Sequence, residues 1–465
     1  MSTATPGELL ARLQRRDRTL WPPDSVAPTR LGWLEAPIWM LDRADALTAW
    51  ADEIPERRVI LLGMGGSSLG PLVLAGADGR GGKFTDGRRS LQVVDTTHPK
   101  TLREVDFTDA LIVISSKSGT TLETDALFAW ALDVVDDPHR FVVITDIGSP
   151  LVDRARALGV RRVFENPTDI GGRYSLFSYF GMVPAALLGY DVAAFSTAGL
   201  STDLDAAAAL GAEIGQAVVS GHDKLFITSH PDVPRFGLWA EQLIAESTGK
   251  NGTGCIPVPT NLAMSSADQL VLSLPFDDVA DLAAAFYALE VAIAICGSVI
   301  GVDPFNEPNV AEAKERTLER LSDAPHDAIP ILPVEDLNNW LERALFPGAY
   351  LALQAYIPFA EEANLEELRD RLAAALQPVA VTAGFGPRYL HSTGQLHKGG
   401  PRTVVALQIV SPSDTNLAIP DRPFDFAALL QAQADGDFDA LQARGQTVAR
   451  VQVGSLTTLL RRLDA

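Results

Sequence analysis

The chain has 465 residues, 47% hydrophobic and 21% charged, with 38 Lys and Arg against 59 Asp and Glu for a formal charge of −21 at pH 7. That length implies two to four domains with ample core, and the acidic balance argues against nucleic acid or an anionic membrane surface as partner, so any anion site must be a local exception. Its two cysteines, Cys255 and Cys296, lie far apart without CxxC spacing, which indicates neither a disulfide framework nor a zinc site and fits a reducing cytoplasm.

The N-terminal segment lacks an apolar leader, and residues 1–50 read as a partly helical cap, broken at Trp21-Pro22-Pro23 and Pro28 and carrying tryptophans at 21, 33, 39 and 50. Residues 58–62 (RVILL) predict a strand, then the loop Gly63-Met64-Gly65-Gly66-Ser67-Ser68-Leu69-Gly70-Pro71 and a helix through 73–75. A dinucleotide fingerprint would need glycine where Ser68 stands, which weakens that reading. Gly65 and Gly66 still permit close backbone approach, and Ser67 and Ser68 point to a ligand.

A strand at 91–94 ends in Asp95-Thr96-Thr97-His98-Pro99, and the most telling stretch follows at 110–124, ALIVISSKSGTTLET. The apolar run 111–114 is too short for a helix and reads as a buried strand; a helix starts at Thr121 or Leu122. Between them the hydroxyls of Ser116, Ser118, Thr120 and Thr121, the Lys117 charge and the free N–H groups of the helix start gather around one point, which suits a phosphate dianion. An ordinary N-cap at Thr121 is the competing reading. Without GxxxxGK[ST], a monophosphate fits better than a nucleotide.

Strands at 141–145 and 162–164 complete an alternation of strands and helices that predicts a doubly wound parallel sheet, with its ligand site beyond the carboxyl ends of the strands. Residues 166–178 (NPTDIGGRYSLFS) then set Arg173 behind two glycines, where it either reaches a ligand or makes a surface ion pair. A second α/β unit opens with the alanine-rich helix 203–219 and the strand 224–228. The helix 236–245 follows and runs into the polar loop 247–254; Gln242 and Glu246, four apart, share one helical face, with Lys250 just beyond.

Short strands at 257–258 and 270–274 precede a buried core helix ending at Ile300, which carries Glu290 and is short for a membrane span. Lys314 lies on the helix begun by Asp303-Pro304-Phe305-Asn306-Glu307-Pro308, and residues 322–333 read as a proline-rich linker. The remainder mixes helices (364–376, 424–434) with strands (379–382, 403–410, 447–453). Within it, residues 384–401 (GFGPRYLHSTGQLHKGGP) hold His391 and His397 in one glycine-rich connector.

Taken together, these loops resemble the glucose-6-phosphate isomerase family. GMGGSSLGP at 63–71 is similar to its GIGGSxLGP, SKSGTT at 116–121 to SKTxTT, GGRYSLFS at 171–178 to GGRxS, EQLIAESTGK at 241–250 to QxxxESxGK, and PFNEPNVAEAK at 304–314 to PFxQxGVxxxK. RLGWLEAP, AESTGK and YLHSTGQLHKGGP further resemble the isomerase part of fused transaldolase/glucose-6-phosphate isomerase proteins, although no transaldolase part is visible.

The resemblance implies an α/β fold of two SIS-type three-layer αβα domains with parallel sheets, at 51–200 and 201–332, flanked by the helical cap 1–50 and a mixed α/β C-terminal extension at 333–465. It implies that Ser116, Lys117, Ser118 and Thr121 hold the phosphate, with Gly66 and Ser67 near the sugar, and that Gln242 binds substrate and Lys314 lies near the ring oxygen. Glu246 would carry a proton between C2 and C1 through a cis-enediolate while Arg173 stabilises the oxyanion, chemistry that needs no metal or redox cofactor. The implied partner is a small sugar phosphate in the cytoplasm, with no nucleic acid and no membrane. A homodimer and an associated transaldolase are compatible with it.

Two departures stand out. The family has glutamine where this chain has Glu307. Its ring-opening histidine is expected between the base and the PF motif, yet 247–313 contains no histidine. That group comes from His391 or His397 if 384–401 folds over the cleft, from a neighbouring subunit, or is absent. Alternative readings are an isomerase that also takes mannose 6-phosphate and a non-catalytic SIS sensor of sugar phosphates.

Overall fold

A computed structural model describes residues 4–76, 86–260, 268–273, 276, 278–322, 327–412 and 416–463. Its first sheet has β1 (Arg58–Gly63), β2 (Ser90–Val94), β3 (Ala110–Ser115), β4 (Phe141–Asp146) and β5 (Arg162–Asn166), in the order β2-β1-β3-β4-β5 and parallel throughout. Helices cover both faces, so Leu111, Ile112, Val113 and Ile114 are fully buried, which is why this strand reads as an unbroken apolar run rather than an alternating one. In this order the chain changes direction between β1 and β3, and the loops that follow those two strands flank the crevice left there.

A second parallel sheet has β6 (Lys224–Thr228), β7 (Ile256–Pro259) and β8 (Gln269–Ser273), in the order β7-β6-β8. The last residue expected in β8, Leu274, falls outside the described residues, as do 323–326 of the expected linker. The third sheet, β9 (Tyr350–Tyr356), β10 (Ala380–Phe385), β11 (Val404–Val410) and β12 (Thr447–Gln452), is ordered β10-β9-β11-β12 and is also parallel. Phe226, Ile256 and Val258 of the second sheet share a core with Tyr350, Ala352, Ala380, Val404 and Ala406 of the third. The α/β class with parallel sheets is as expected.

Two stretches gain detail beyond the sequence reading. The inner strand β9 was not anticipated: YLALQAY mixes leucine and alanine, good helix formers, with a central glutamine, so its pattern does not favour a strand. Residues 384–401, whose density of histidines and cations is unusual for a plain connector, have local structure of their own. After β10 they form the 3-10 turn Arg388–His391 and the helix Gly394–Gly399.

The Val279–Ile300 helix is long and apolar enough to cross a membrane by length and composition, but here it is a core element, packed against the helices Leu204–Val219, Val192–Leu200 and Phe236–Thr248. The N-terminal cap closes over it. Trp21 donates through Nε1 to the Ala294 carbonyl at 3.0 Å and meets Phe305 edge-on, and Trp33 packs against Tyr174. The aromatic cap thus braces the neighbours of Arg173 and of the Pro304–Glu307 turn from behind.

Candidate active site

At the end of β3 the chain enters a tight turn in which Gly119 has φ +67° and no room for a side chain against Leu151. The helix Leu122–Val135 then begins with Thr121 as N-cap, and the Thr121 hydroxyl makes no capping hydrogen bond. Its oxygen and the first N–H groups are thus not taken up by a side-chain cap, an arrangement open to an anion. Ser118 accepts from the Thr120 N–H at 3.2 Å and from the Thr120 hydroxyl at 3.0 Å, which fixes the loop.

Two phosphate candidates sit differently from expectation. The Lys117 ammonium pairs with Asp146 at the end of β4 instead of standing free. Burial lifts the Asp146 carboxyl to about 6 despite that lysine. Ser116 is buried beneath the loop, with its N–H on the Ile144 carbonyl, and does not line the cavity.

The glycine loop after β1 turns through the 3-10 segment Gly65–Ser67. A Cβ on Gly66 would lie 1.9 Å from the Gly172 carbonyl oxygen, so only glycine lets this loop touch the segment that carries Arg173. Ser67 faces the cavity. Ser68 is buried, 3.3 Å from Asp95, which is itself paired with Arg388, and so serves the scaffold rather than a ligand.

Gln242 and Glu246 project from the helix Phe236–Thr248, both almost wholly buried rather than on a solvated helix end. Gln242 Nε2 donates to Glu246 Oε2 at 3.1 Å and to the His391 carbonyl at 2.8 Å, while its Oε1 has no partner among the described residues. Glu246 Oε1 lies 3.4 Å from Arg173 Nη1, the nitrogen that also donates to Glu307 Oε2 at 3.2 Å. The rest of the guanidinium is held by the carbonyls of Pro304 and Asn306, both at 2.8 Å, and by the Ser247 hydroxyl at 3.0 Å. Lys250 donates to the carbonyls of Asp303 and Asn306 and holds this turn in place. Arg173 is therefore fixed, which favours preorganised charge stabilisation over a mobile surface pair. Burial raises the Glu246 carboxyl above the usual range; Arg173 opposes the rise and Glu307 adds to it.

The two histidines part company. His391, at the end of its 3-10 turn, lines the cavity and places Nε2 2.8 Å from Glu123 Oε1. Glu123 also accepts from Gln433 Nε2 at 2.8 Å; burial pushes its carboxyl up, but the imidazole and the hydrogen bonds outweigh it and hold it below the usual value. A carboxylate partner puts the proton on His391 Nε2. His397 lies outside the cavity, buried, with Nδ1 taking a hydrogen bond from Gln354 at 3.1 Å; burial first and Lys398 second drive it down to about 3, so it is a neutral core residue. It is not available to the cleft.

One cavity of about 390 Å³ unites Gly66, Ser67, Lys117, Ser118, Thr121, Arg173, Gln242, Glu246, Lys314 and His391, ten of the twelve sequence candidates, and excludes Ser116 and His397. Glu123 went unrecognised because a glutamate in a first helical turn is equally explained by the helix dipole. Only the fold brings it to a histidine 268 positions away. In this cavity an uncapped helix start faces a buried carboxylate and a fixed guanidinium, within a parallel α/β fold.

Residues 51–207 match the phosphoglucose isomerase family. A glucose-6-phosphate isomerase of Campylobacter jejuni is 33% identical over 42% of this chain and 50% of its own length. A probable glucose-6-phosphate isomerase of Haloarcula marismortui is 28% identical over 72% of this chain and 73% of its own. A probable glucose-6-phosphate isomerase of Natronomonas pharaonis is 32% identical over 49% and 55%. The chain thus spans about half the length of the first and third of these relatives and nearly three quarters of the second.

Proposed function

We propose that the cleft interconverts glucose 6-phosphate and fructose 6-phosphate. The observation that carries this reading is the buried Glu246 carboxylate in contact with Arg173, in the same cavity as the open helix start at Thr121. The names of the matched relatives support the substrate class.

In this reading the phosphate sits on the N–H groups and hydroxyls of 118–121. His391, its Nε2–H held by Glu123, takes the proton of the C1 hydroxyl on its other ring nitrogen and delivers it to the ring oxygen as the bond from C1 to that oxygen breaks, and the open-chain aldehyde forms beside Lys314. Glu246 then takes the C2 proton as the carbonyl oxygen on C1 becomes an enediolate oxygen. Arg173 stabilises that developing charge, a proton passes from the C2 oxygen to the C1 oxygen, and Glu246 returns its own proton to C1 to leave a hydroxyl on C1 and the ketone at C2. A carboxyl raised by burial is the stronger base for this step. The unpartnered Gln242 Oε1 is left for a sugar hydroxyl.

A coupled assay of fructose 6-phosphate conversion tests the reading, together with uptake of solvent deuterium at C2. Turnover with exchange is expected, with and without chelator. Tight sugar-phosphate binding with neither would make the protein a sensor instead. The likeness to fused proteins extends the proposal to an associated transaldolase, read by co-elution of the two purified chains on gel filtration, which also measures a homodimer.

A further inference from the structure

A second cavity of about 430 Å³ opens where the C-terminal ends of β6 and β7 meet the C-terminal end of β10, at Ser229, Pro259 and 383–385. This is the edge of a parallel sheet at which α/β proteins bind ligands, and the volume falls in the range of small-molecule sites. Its walls are Gly237, Leu238 and Glu241 of the Phe236–Thr248 helix and one face of the helix Glu362–Ala375.

Three guanidiniums border the cavity, and each already has its own carboxylate. Arg235 is bound to Glu362, with Nη2 2.8 Å from Oε2; Arg369 Nε is 2.8 Å from Asp370; and Arg388 holds Asp95 with contacts of 2.8 and 2.7 Å. Two further carboxyls face the same space, Glu241 and Glu366, and neither has a hydrogen bond or ion pair among the described residues. Glu241 is only 6% exposed. Charge pairing is therefore complete on the cationic side and incomplete on the anionic side.

We propose that this cavity binds a small organic cation through an ammonium group held by Glu241, with its carbon skeleton against Leu238, Leu365 and Phe385. An ammonium would form charge-assisted hydrogen bonds to the one buried carboxyl of this cavity that the protein leaves unanswered. A bare metal ion is the poorer fit: the space is that of an organic molecule, and among the described residues no group of three or more His, Cys, Asp or Glu could hold a metal. Burial lifts the Glu241 carboxyl to about 8, with Arg369 and Arg388 opposing the rise at longer range. At pH 7 the arriving cation converts this acid to its carboxylate and releases the proton to the buffer.

Calorimetric titration of the full chain with 1,4-diaminobutane, with 1,4-butanediol as its uncharged counterpart, tests this without reference to catalysis. Expected is saturable binding of the diamine at one site, no binding of the diol, and a heat at pH 7 that varies with the ionisation enthalpy of the buffer. Glu241→Gln weakens binding by about tenfold or more, as loss of a charged hydrogen bond predicts. Glu246→Gln, in the other cavity, leaves it unchanged. Leu238→Trp, which fills the space without touching the carboxyl, abolishes it and replaces the first variant if Glu241→Gln does not fold. Equal binding by Glu241→Gln or Leu238→Trp, equal binding of the diol, loss in Glu246→Gln, or no saturation up to about 10 mM would overturn the site, since weaker binding is non-specific.

Discussion

Where the helices of the C-terminal region pack beside its sheet, Lys398 donates to Asp437 at 2.5 Å, Tyr389 donates to the other oxygen of Asp437 at 2.7 Å, and the Tyr389 oxygen lies 3.0 Å from the Tyr356 hydroxyl. All four are buried. At the crevice between β1 and β3, Glu246, Gln242 and Arg173 are buried almost as deeply, yet they face an open volume, and Gln242 Oε1 is unanswered. Burial of charge is common to both regions. What separates scaffold from site is whether the network closes on itself or leaves valences pointing into a cavity.

Substitutions in the two regions should fail in different ways. Glu246→Gln is expected to lower turnover by roughly 10²–10⁴-fold or more, because the amide keeps the shape but takes no proton. Its urea midpoint should stay close to wild type. Asp437→Ala should cost about 3–5 kcal/mol of stability by stranding Lys398 in the core, read from the same urea curve. A swap of these outcomes, with the catalytic loss at Asp437 and the stability loss at Glu246, would break the comparison.

His391 and His397 sharpen it within seven residues. His391→Ala should slow conversion of the cyclic sugar phosphate about 10- to 100-fold, toward the lower end of general acid–base contributions, and spare exchange on an open-chain analogue. His397 should instead show in acid stability. Its proton affinity is lowered in the fold, from 6.5 to about 3, so between those values the unfolded chain binds more protons than the native one. Stability present above pH 6.5 is therefore lost as pH falls through that window. His397→Gln should flatten this slope, and an unchanged slope would place the acid-labile group elsewhere. Thr121→Val should act more gently, raising KM for the phosphorylated sugar about tenfold, the worth of one charged hydrogen bond of roughly 1.5 kcal/mol, with kcat retained.

The cleft was legible from sequence where local rules act. The β3 run, the hydroxyl-rich turn and the open helix start all lie within fifteen consecutive residues, so the candidate anion site could be read from one stretch. Long-range partners were not legible. Asp146 claims Lys117 from the next strand, and Glu123 meets His391 only once the C-terminal segment folds back over the first sheet. The strand β9 escaped for another reason. Its identity is set by burial between β10 and β11, which overrides the helix-forming tendency of its leucines and alanines. His391 and His397 are the same residue type in the same connector, and only packing tells the cleft residue from the core residue.

Glu307 is the place where the cleft departs from a closed network by having one charge too many. Its Oε2 lies 3.2 Å from the same Arg173 nitrogen that stands 3.4 Å from Glu246 Oε1, so two carboxylates share one donor. The like charge adds to the burial that raises the Glu246 carboxyl, and it competes for the cation that would steady the enediolate. Glu307→Gln removes that charge and keeps the side-chain length. Glu246 then ionises at lower pH, and since the base works only as the carboxylate, the acidic limb of kcat/KM, which reports the free enzyme, should move to lower pH. The Glu307 side chain is 48% exposed, so solvent screens it and the gain is modest. On the acidic limb kcat/KM should rise roughly twofold to fivefold, the scale of an exposed ion pair of about 0.5–1 kcal/mol. The plateau at higher pH should change less. A limb that moves upward instead would mean that Glu307 holds Arg173 in its working position, and that the second carboxylate belongs to the closed network rather than to the open one.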